Sequence, residues 1–186
     1  SVGEVLSFDG DGIEVMVFSK TQLKAKMRVS RTDRSLTVAV GESLLGATID
    51  PFGQPLNTDQ YLRESSAQVP MKNEAWGISR RKRISKSFET GVSLVDLVAP
   101  LGQGQRQLII GDRKTGKTTF VLQTILLQAA MGTICIYAGI GRKKADIKRI
   151  EEYFVQKNIF HNTIIVATSS NDPASLIYLT PYAAMA

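Results

Sequence analysis

The chain has 186 residues, of which 43% are hydrophobic and 22% charged, a composition that excludes wholesale disorder and fits one domain with an appendage. Its 23 lysines and arginines against 17 acidic residues give a net charge of +6, which suits an anionic partner: nucleic acid, a phosphate-bearing ligand, an acidic protein or a membrane surface. The lone cysteine excludes a disulfide framework, no apolar run approaches the ~20 residues that span a bilayer, and the start shows no secretory signal. We therefore expect a soluble intracellular chain.

The N-terminal part of the chain predicts β-strands. Residues 2–8 and 13–18 are rich in apolar and β-branched side chains, and they flank the turn signal Asp-Gly-Asp-Gly at 9–12. Residues 24–29 and 36–40 continue this pattern after polar interruptions. The chain is thus expected to open with a small β-rich segment.

The stretch 54–86 is polar and lacks periodicity, and we interpret it as an extended connection over the surface. Trp76 within it is expected to anchor the connection by packing. The basic run Arg80-Arg81-Lys82-Arg83 is interpreted as part of a solvated linker. The alternative for this run is a nuclear-localisation or nucleic-acid-binding patch.

The C-terminal half alternates between strand and helix patterns. A proline after Asp172 suggests the start of the last helix. The predicted order is a buried strand at 106–110, a helix at 118–131, a strand at 133–138, a helix at 145–156, a strand at 163–167 and a helix after Pro173. This order is typical of a parallel sheet with helices on both faces, so the predicted fold class is α/β.

The strand at 106–110 and the helix at 118–131 are joined by a G-x-x-x-x-G-K-[ST] motif. This strand–loop–helix context is the one in which the motif binds phosphate, through backbone N–H groups and the positive end of the helix. Lys117 is expected to reach the terminal phosphates, and the Thr118 hydroxyl to ligate Mg²⁺. The predicted nucleotide-binding residues are Gly111, Asp112, Arg113, Lys114, Thr115, Gly116, Lys117, Thr118 and Thr119.

A nucleotide site also needs a carboxylate after a later strand to hold the metal. The strand at 163–167 is followed by Thr168-Ser169-Ser170, and Asp172 fits better as a helix cap. Asp50 and Asp96 precede the loop. We therefore expect the nucleotide-binding domain to be incomplete at its C-terminus.

Further motifs surround the loop. Residues 100–106 read Pro-Leu-Gly-Gln-Gly-Gln-Arg, residues 108–113 read Leu-Ile-Ile-Gly-Asp-Arg, and Thr-Gly-Lys-Thr follows at 115–118. On these residues the chain resembles the alpha subunits of F-type ATP synthases. The resemblance covers most of 38–186 and implies a P-loop, RecA-like nucleotide-binding domain there. Residues 1–37 resemble a shortened version of the N-terminal β-barrel of that family.

The resemblance also bears on catalysis. Catalytic beta subunits of the family have a glutamate that polarises the attacking water, and alpha subunits have glutamine there. The matching position in this chain is Arg142, whose guanidinium stays protonated and cannot act as a general base. The resemblance therefore implies no catalytic residue here, and it leaves Arg142 open between a phosphate contact and a solvent-facing role.

The resemblance implies a non-catalytic subunit of the alpha type that binds ATP or ADP with Mg²⁺. Its expected partners are beta subunits in an alternating hexameric ring and the central rotary stalk of a proton- or sodium-coupled ATP synthase. Nucleic acid is not an expected partner, and membrane contact is expected only through the complex. The expected location is the periphery of an energy-transducing membrane, at the bacterial cytoplasmic face or the inner side in a mitochondrion or plastid.

Two alternatives stay open. The first is a catalytic hexameric ATPase of the same superfamily, such as a type III secretion or flagellar ATPase or a Rho-like helicase. Such an enzyme would need an acidic residue at the position of Arg142. An RNA- or DNA-binding module would need aromatic side chains on its strand faces, where Phe8 and Phe18 are the candidates. His161 is expected at the surface and Cys135 buried inside a strand.

Overall fold

The computed structural model describes residues 2–19, 23–57 and 67–186. The chain opens with an antiparallel hairpin of β1 (Val2–Asp9) and β2 (Gly12–Phe18), in which Asp9 lies opposite Gly12 and Val2 opposite Phe18. This hairpin confirms the first two predicted strands and the turn between them. Most of its side chains are exposed, but Phe18 is buried in a hydrophobic core.

The strand predicted at 36–40 is confirmed as β3 (Thr37–Val40), whereas residues 24–29 form no strand. Met27 and Val29 are exposed, and no strand in the described ranges pairs with this segment. An alternating pattern needs a hydrogen-bonded neighbour before it becomes a strand. The prediction for 24–29 was therefore wrong.

The connection predicted over 54–86 contains a strand. After β4 (Thr48–Ile49), the short β5 (Ala67–Pro70) pairs antiparallel with β3 and places Val69 opposite Val38. Four residues carry too little periodicity to predict a strand, and its long-range partner decides it. Trp76 is 68% exposed, so it is not the packing anchor expected from the sequence. Residues 58–66 of the connection lie outside the described part.

A parallel sheet lies at the centre of the C-terminal half. Its strand order is β4, then β9 (Thr163–Ser169), then β8 (Cys135–Arg142), and Ile165 lies opposite both Thr48 and Tyr137. All seven residues of β9 are buried, as expected for a central parallel strand covered on both faces. The strands predicted at 133–138 and 163–167 are thereby confirmed, with β8 extending to Arg142.

Helices cover both faces of this sheet and confirm the α/β fold class. On one face, α2 (Lys117–Ala130) and α3 (Lys144–Gln156) pack against Tyr137 and Ile165. On the other, α4 (Ala174–Met185) packs against Ile164 and Val166, together with residues of the β-rich N-terminal part. A shorter helix, α1 (Ser93–Val98), lies before the loop. Within the described ranges, no helix combines the length and apolarity needed to cross a membrane.

Residues 106–110 differ most from their prediction. They follow two short antiparallel strands, β6 (Ser87–Phe88) and β7 (Leu101–Gly102), and they form no strand themselves. Leu108 and Ile110 are 75% and 82% exposed. In the described part of the chain no strand pairs with this segment, and β8 ends the sheet on its side. The expected buried strand was therefore wrong, because its apolar residues have no paired neighbours that would bury them.

Candidate phosphate-binding site

The G-x-x-x-x-G-K-[ST] motif forms a tight turn that leads directly into α2. Gly116 has φ 92° and Lys114 has φ 64°, so two residues of the turn adopt the left-handed region. Glycine adopts that region without strain, whereas a side chain at 116 would be strained. The first helical hydrogen bond runs from the Phe120 N–H to the Gly116 carbonyl at 2.9 Å. The turn therefore places the N-terminus of α2, with its free N–H groups and partial positive charge, at the end of the loop.

Lys117 reaches back across the loop. Its ammonium donates hydrogen bonds to the carbonyl of Gly111 at 2.5 Å and to the carbonyl of Asp112. The Thr115 hydroxyl donates to the Asp112 carbonyl at 2.8 Å and closes the turn from inside. A Cβ at Gly111 would lie 2.8 Å from the Thr115 hydroxyl oxygen, so a larger residue cannot occupy 111 without displacing it. Lys117 thus has its charge next to the backbone groups of the loop.

The remaining predicted loop residues are placed around this turn. Asp112, Arg113, Lys114, Thr115 and Thr119 are exposed, and Thr118 is half-buried in the first turn of α2. The arrangement combines backbone N–H groups, an ammonium and hydroxyls on one exposed turn. These groups are hydrogen-bond donors, which suit an anion such as phosphate.

Arg142 stands at the carboxyl end of β8. It lies opposite Ser169 after an irregularity in the β8–β9 pairing, and its carbonyl accepts a hydrogen bond from the Ser170 N–H at 2.9 Å. Burial raises the pKa of the Tyr137 hydroxyl, and the positive charge of Arg142 and a hydrogen bond from its side chain oppose that rise. Asp146, in the first turn of α3, raises the pKa of Tyr137 further by its negative charge. Arg142 and Asp146 therefore act on the pKa of Tyr137 in opposite directions.

A family model described as the ATP synthase alpha/beta family, nucleotide-binding domain, matches residues 91–186. This range includes the loop, β8 and β9. The chain belongs to the ATP synthase alpha/beta family. The resemblance to F-type alpha subunits seen in the motifs is confirmed by the family match and by the relatives that follow.

Relatives with similar sequences include alpha subunits. The ATP synthase subunit alpha of Staphylococcus aureus strain JH9 and that of strain Newman are each 41% identical over 154 residues, or 83% of this chain. The aligned part is 30% of each relative. The chain therefore spans less than a third of the length of these relatives.

A Mg²⁺ ion bound with a nucleotide usually has a carboxylate ligand as well. Asp96 accepts hydrogen bonds from Thr90 and Gly91, Asp50 accepts from Phe52 and Gln54, and Asp172 accepts from Ser169. No group of three or more metal-ligating side chains occurs within the described residues. Since Mg²⁺ also binds through substrate phosphates and water, these residues would fit the ion only together with a nucleotide.

Two other side chains lie where the sequence predicted them. His161 is exposed in a 3₁₀ turn before β9. Cys135 is buried at the start of β8, and burial raises the pKa of its thiol. Phe18 is buried as well, so of the two aromatic candidates for base stacking only Phe8, 76% exposed, faces solvent.

Sequence reasoning missed the role of Tyr137. A tyrosine five positions before an arginine on the same strand gives no pattern that predicts contact, because five residues of extended strand separate Cα atoms by about 16 Å. The pairing of β8 with β9 is irregular between Gly139 and Arg142, where Gly141 has φ 59°. Gly141 is the sequence signal of this irregularity. A glycine can be interpreted in this way only when the pairing of β8 with β9 is known.

Proposed function

We propose that this chain is a non-catalytic subunit of the alpha type that binds ATP or ADP with Mg²⁺ at residues Gly111 to Thr119. The observation that carries the proposal is the turn before α2, in which Lys117 and the helix N-terminus face the same loop. Family membership and the similarity to alpha subunits support it. The division into a β-rich domain at 1–37 and a nucleotide-binding domain at 38–186 belongs to the same proposal.

Nucleotide binding would exchange the partners of Lys117. Its ammonium now bonds the carbonyls of Gly111 and Asp112, which are neutral acceptors. Phosphate oxygens carry negative charge, so the attraction between opposite charges adds to the hydrogen bond that the ammonium makes with them. Phosphates would therefore draw the ammonium away from the carbonyls. Backbone N–H groups of the first turn of α2 would bind the phosphates alongside it, and Thr118 would meet the Mg²⁺ ion.

Arg142 supports the non-catalytic part of the proposal. Transfer of a phosphoryl group to water requires an oriented nucleophile and a metal held in place. The position that matches the family's water-orienting residue holds a guanidinium, which stays protonated. We accordingly propose that the chain binds nucleotide without hydrolysing it.

The complex follows from the same proposal. The chain would alternate with beta subunits in a hexameric ring around the central stalk of a rotary F-type ATP synthase, coupled to protons or sodium ions. It would then lie at the periphery of an energy-transducing membrane and touch that membrane only through the complex. Similarity to alpha subunits over 83% of the chain is the support for this assembly.

Replacement of Lys117 by alanine tests the site. A charge-assisted hydrogen bond contributes about 1.5–3 kcal/mol, so the affinity for Mg-ATP in a calorimetric titration should fall at least about tenfold. Lys148→Ala removes the same charge from the exposed surface of α3 and should leave the affinity unchanged. Equal affinities for wild type and Lys117→Ala would contradict the assignment of the loop.

Phosphate release tests the non-catalytic part separately. The wild-type chain should release no phosphate from ATP at a steady rate. Steady release that disappears in Lys117→Ala would exclude contamination and favour a catalytic ATPase of the same superfamily.

A further inference from the structure

A long exposed segment joins β5 to β6. Every residue from 73 to 86, here called the basic arm, is exposed. Just before it, Lys72 forms an ion pair with Glu4 of β1 at 2.7 Å. At its end, the Lys86 carbonyl accepts a hydrogen bond from the Gln103 N–H at 2.9 Å. The basic arm is therefore anchored at both ends and presents the residues between them to solvent.

Positive charge is concentrated on the basic arm. It carries five cationic side chains against one carboxylate, that of Glu74, which gives a net charge of +4 in a chain whose total is +6. Ion pairs in the described ranges involve Arg31, Lys72 and Arg149. None of them involves the five cations of the arm, which are Arg80, Arg81, Lys82, Arg83 and Lys86. This charge is available to an anionic partner.

Apolar side chains lie exposed beside these charges. Trp76 is 68% exposed, Ile78 is 90% exposed and Ile84 is 50% exposed. A turn at Ile78–Arg80 connects the tryptophan to the basic run, and the Arg81 side chain donates a hydrogen bond to the Trp76 carbonyl at 3.1 Å. Tryptophan and arginine are among the side chains that contribute most to binding at protein interfaces. The arm therefore has the composition of a protein-binding surface.

The second half of the arm continues β6 beyond its partner strand. The backbone is extended at Arg81, and residues 82–85 run on toward β6 without a helix, turn or bend. Ile84 lies so close to Gly102 of β7 that a Cβ there would overlap its methyl group. After β7 the chain turns away, with Gly104 at φ 90°. In the described part of the chain no strand pairs with residues 82–85, so the arm offers a strand edge to a further strand.

We infer that the basic arm is a docking site for an acidic polypeptide segment that binds in an extended conformation. The inference goes beyond the nucleotide site and does not depend on it. An added strand would satisfy the backbone of residues 82–85. Its carboxylates would face the cations of the arm, and its apolar side chains would cover Trp76 and Ile78. The arm of a second copy would place positive charge against positive charge, which opposes such pairing.

Other anionic partners fit fewer features of the arm. A single-stranded nucleic acid would use the positive charge and the tryptophan ring, since bases stack on aromatic side chains. It would leave the strand edge unpaired and the two isoleucines exposed. An anionic membrane attracts basic segments, but unpaired backbone groups do not enter its hydrocarbon region. An acidic polypeptide matches the charge, the apolar side chains and the strand edge together.

Fluorescence of the single tryptophan, Trp76, tests the inference directly. We expect a blocked peptide of alternating glutamate and valine to shift the emission to the blue as the ring leaves water. A peptide with lysine in place of glutamate should have no effect. Binding should weaken as salt is raised, because exposed charges are screened. No shift with the acidic peptide, or an equal shift with the basic peptide, would overturn the inference.

Two charge-matched variants separate the basic arm from the net charge of the chain. The first replaces four cations of the arm: Arg80→Gln, Arg81→Gln, Lys82→Gln and Arg83→Gln. The control replaces four exposed cations of the segment before β3, which has no aromatic residue: Lys24→Gln, Lys26→Gln, Arg28→Gln and Arg34→Gln. Affinity for the acidic peptide should fall about tenfold in the first variant, because several ion pairs are lost together, and less than about twofold in the control. Equal losses would mean that net charge alone attracts the peptide, and the inference would fail.

Two further probes decide between classes of partner. A single strand of deoxythymidines, and vesicles of phosphatidylserine with phosphatidylcholine, are titrated against the wild-type chain at the same salt concentration as the acidic peptide. Weaker binding of both supports a polypeptide partner. Binding of either one as tight as that of the acidic peptide would overturn the inference in favour of a nucleic-acid or membrane site.

Discussion

Strand β9 and residues 106–110, here called the pre-loop segment, have similar apolar sequences and opposite surroundings. Ile164, Ile165 and Val166 of β9 are 9%, 0% and 3% exposed, whereas Leu108 and Ile110 of the pre-loop segment are 75% and 82% exposed. Both runs would suit the interior of a parallel sheet by composition alone. Only β9 has a paired strand on each side and helices on both faces.

The difference shows that long-range pairing decides whether an apolar run is buried. β9 bonds β4 on one side and β8 on the other, so its backbone groups are satisfied inside the core. In the described ranges the pre-loop segment has no such partner, and its backbone can be satisfied by water only if it stays exposed. The phosphate loop is consequently held from its C-terminal side, by α2, rather than from the segment before it.

Alanine substitutions on the two regions should give the largest contrast. Ile165→Ala should lower the free energy of unfolding by about 2–5 kcal/mol, because it leaves a cavity in the core. Ile110→Ala should change it by less than about 0.5 kcal/mol, as is usual for exposed positions. Urea unfolding followed by circular dichroism gives both values. A similar decrease in the free energy of unfolding for the two variants would show that the pre-loop segment is buried in solution.

A smaller effect is expected where β9 ends in polar residues. The Thr168 and Thr180 hydroxyls lie 2.7 Å apart and are buried, and the Gly141 N–H lies 3.4 Å from the Thr168 hydroxyl. Thr168→Val keeps the shape and removes one hydrogen-bond partner from each group, although the Thr180 hydroxyl keeps the Leu176 carbonyl at 3.2 Å. The free energy of unfolding in urea should fall by about 1–3 kcal/mol.

The double variant Thr168→Val with Thr180→Val is the matched test. It removes both hydroxyls, so its loss of unfolding free energy should be smaller than the sum of the losses in the two single variants. Strict additivity would mean that the two hydroxyls do not depend on each other.

The smallest effect concerns Asp96, in the part of the chain before the pre-loop segment. Hydrogen bonds from the Thr90 backbone N–H, from the Thr90 hydroxyl and from the Gly91 N–H lower the pKa of Asp96 below its ordinary value of 3.8. A carboxyl with a lowered folded-state pKa stabilises the fold above its unfolded-state pKa, and that contribution is lost as the pH falls through the folded value. Asp96→Asn should therefore be less stable than wild type at neutral pH.

Urea unfolding as a function of pH checks this prediction. The difference in free energy of unfolding between wild type and Asp96→Asn should become smaller below about pH 4. The loss of stability in Ile165→Ala should persist at that pH, because it depends on burial. A difference for Asp96→Asn that stays constant down to low pH would contradict the role of these hydrogen bonds.

Elements with strong local signals were predictable. The helix predicted at 118–131 is observed as Lys117–Ala130, and the one at 145–156 as Lys144–Gln156, because each helix has its breakers, caps and apolar positions within its own sequence. The loop was equally visible, since its glycines and lysine are adjacent in the chain. β5 and the effect of Arg142 on the pKa of Tyr137 were not, because both depend on residues that meet only after folding.

By itself, the sequence determined the alternation of helices and strands from α2 onward, the α/β class and the position of the loop before a helix. These are properties of neighbouring residues, and short-range sterics and hydrogen bonding act on them directly. Tertiary structure alone decided that residues 163–169 are central and residues 106–110 exposed. The physical reason is that burial and strand pairing are properties of the partner as much as of the segment.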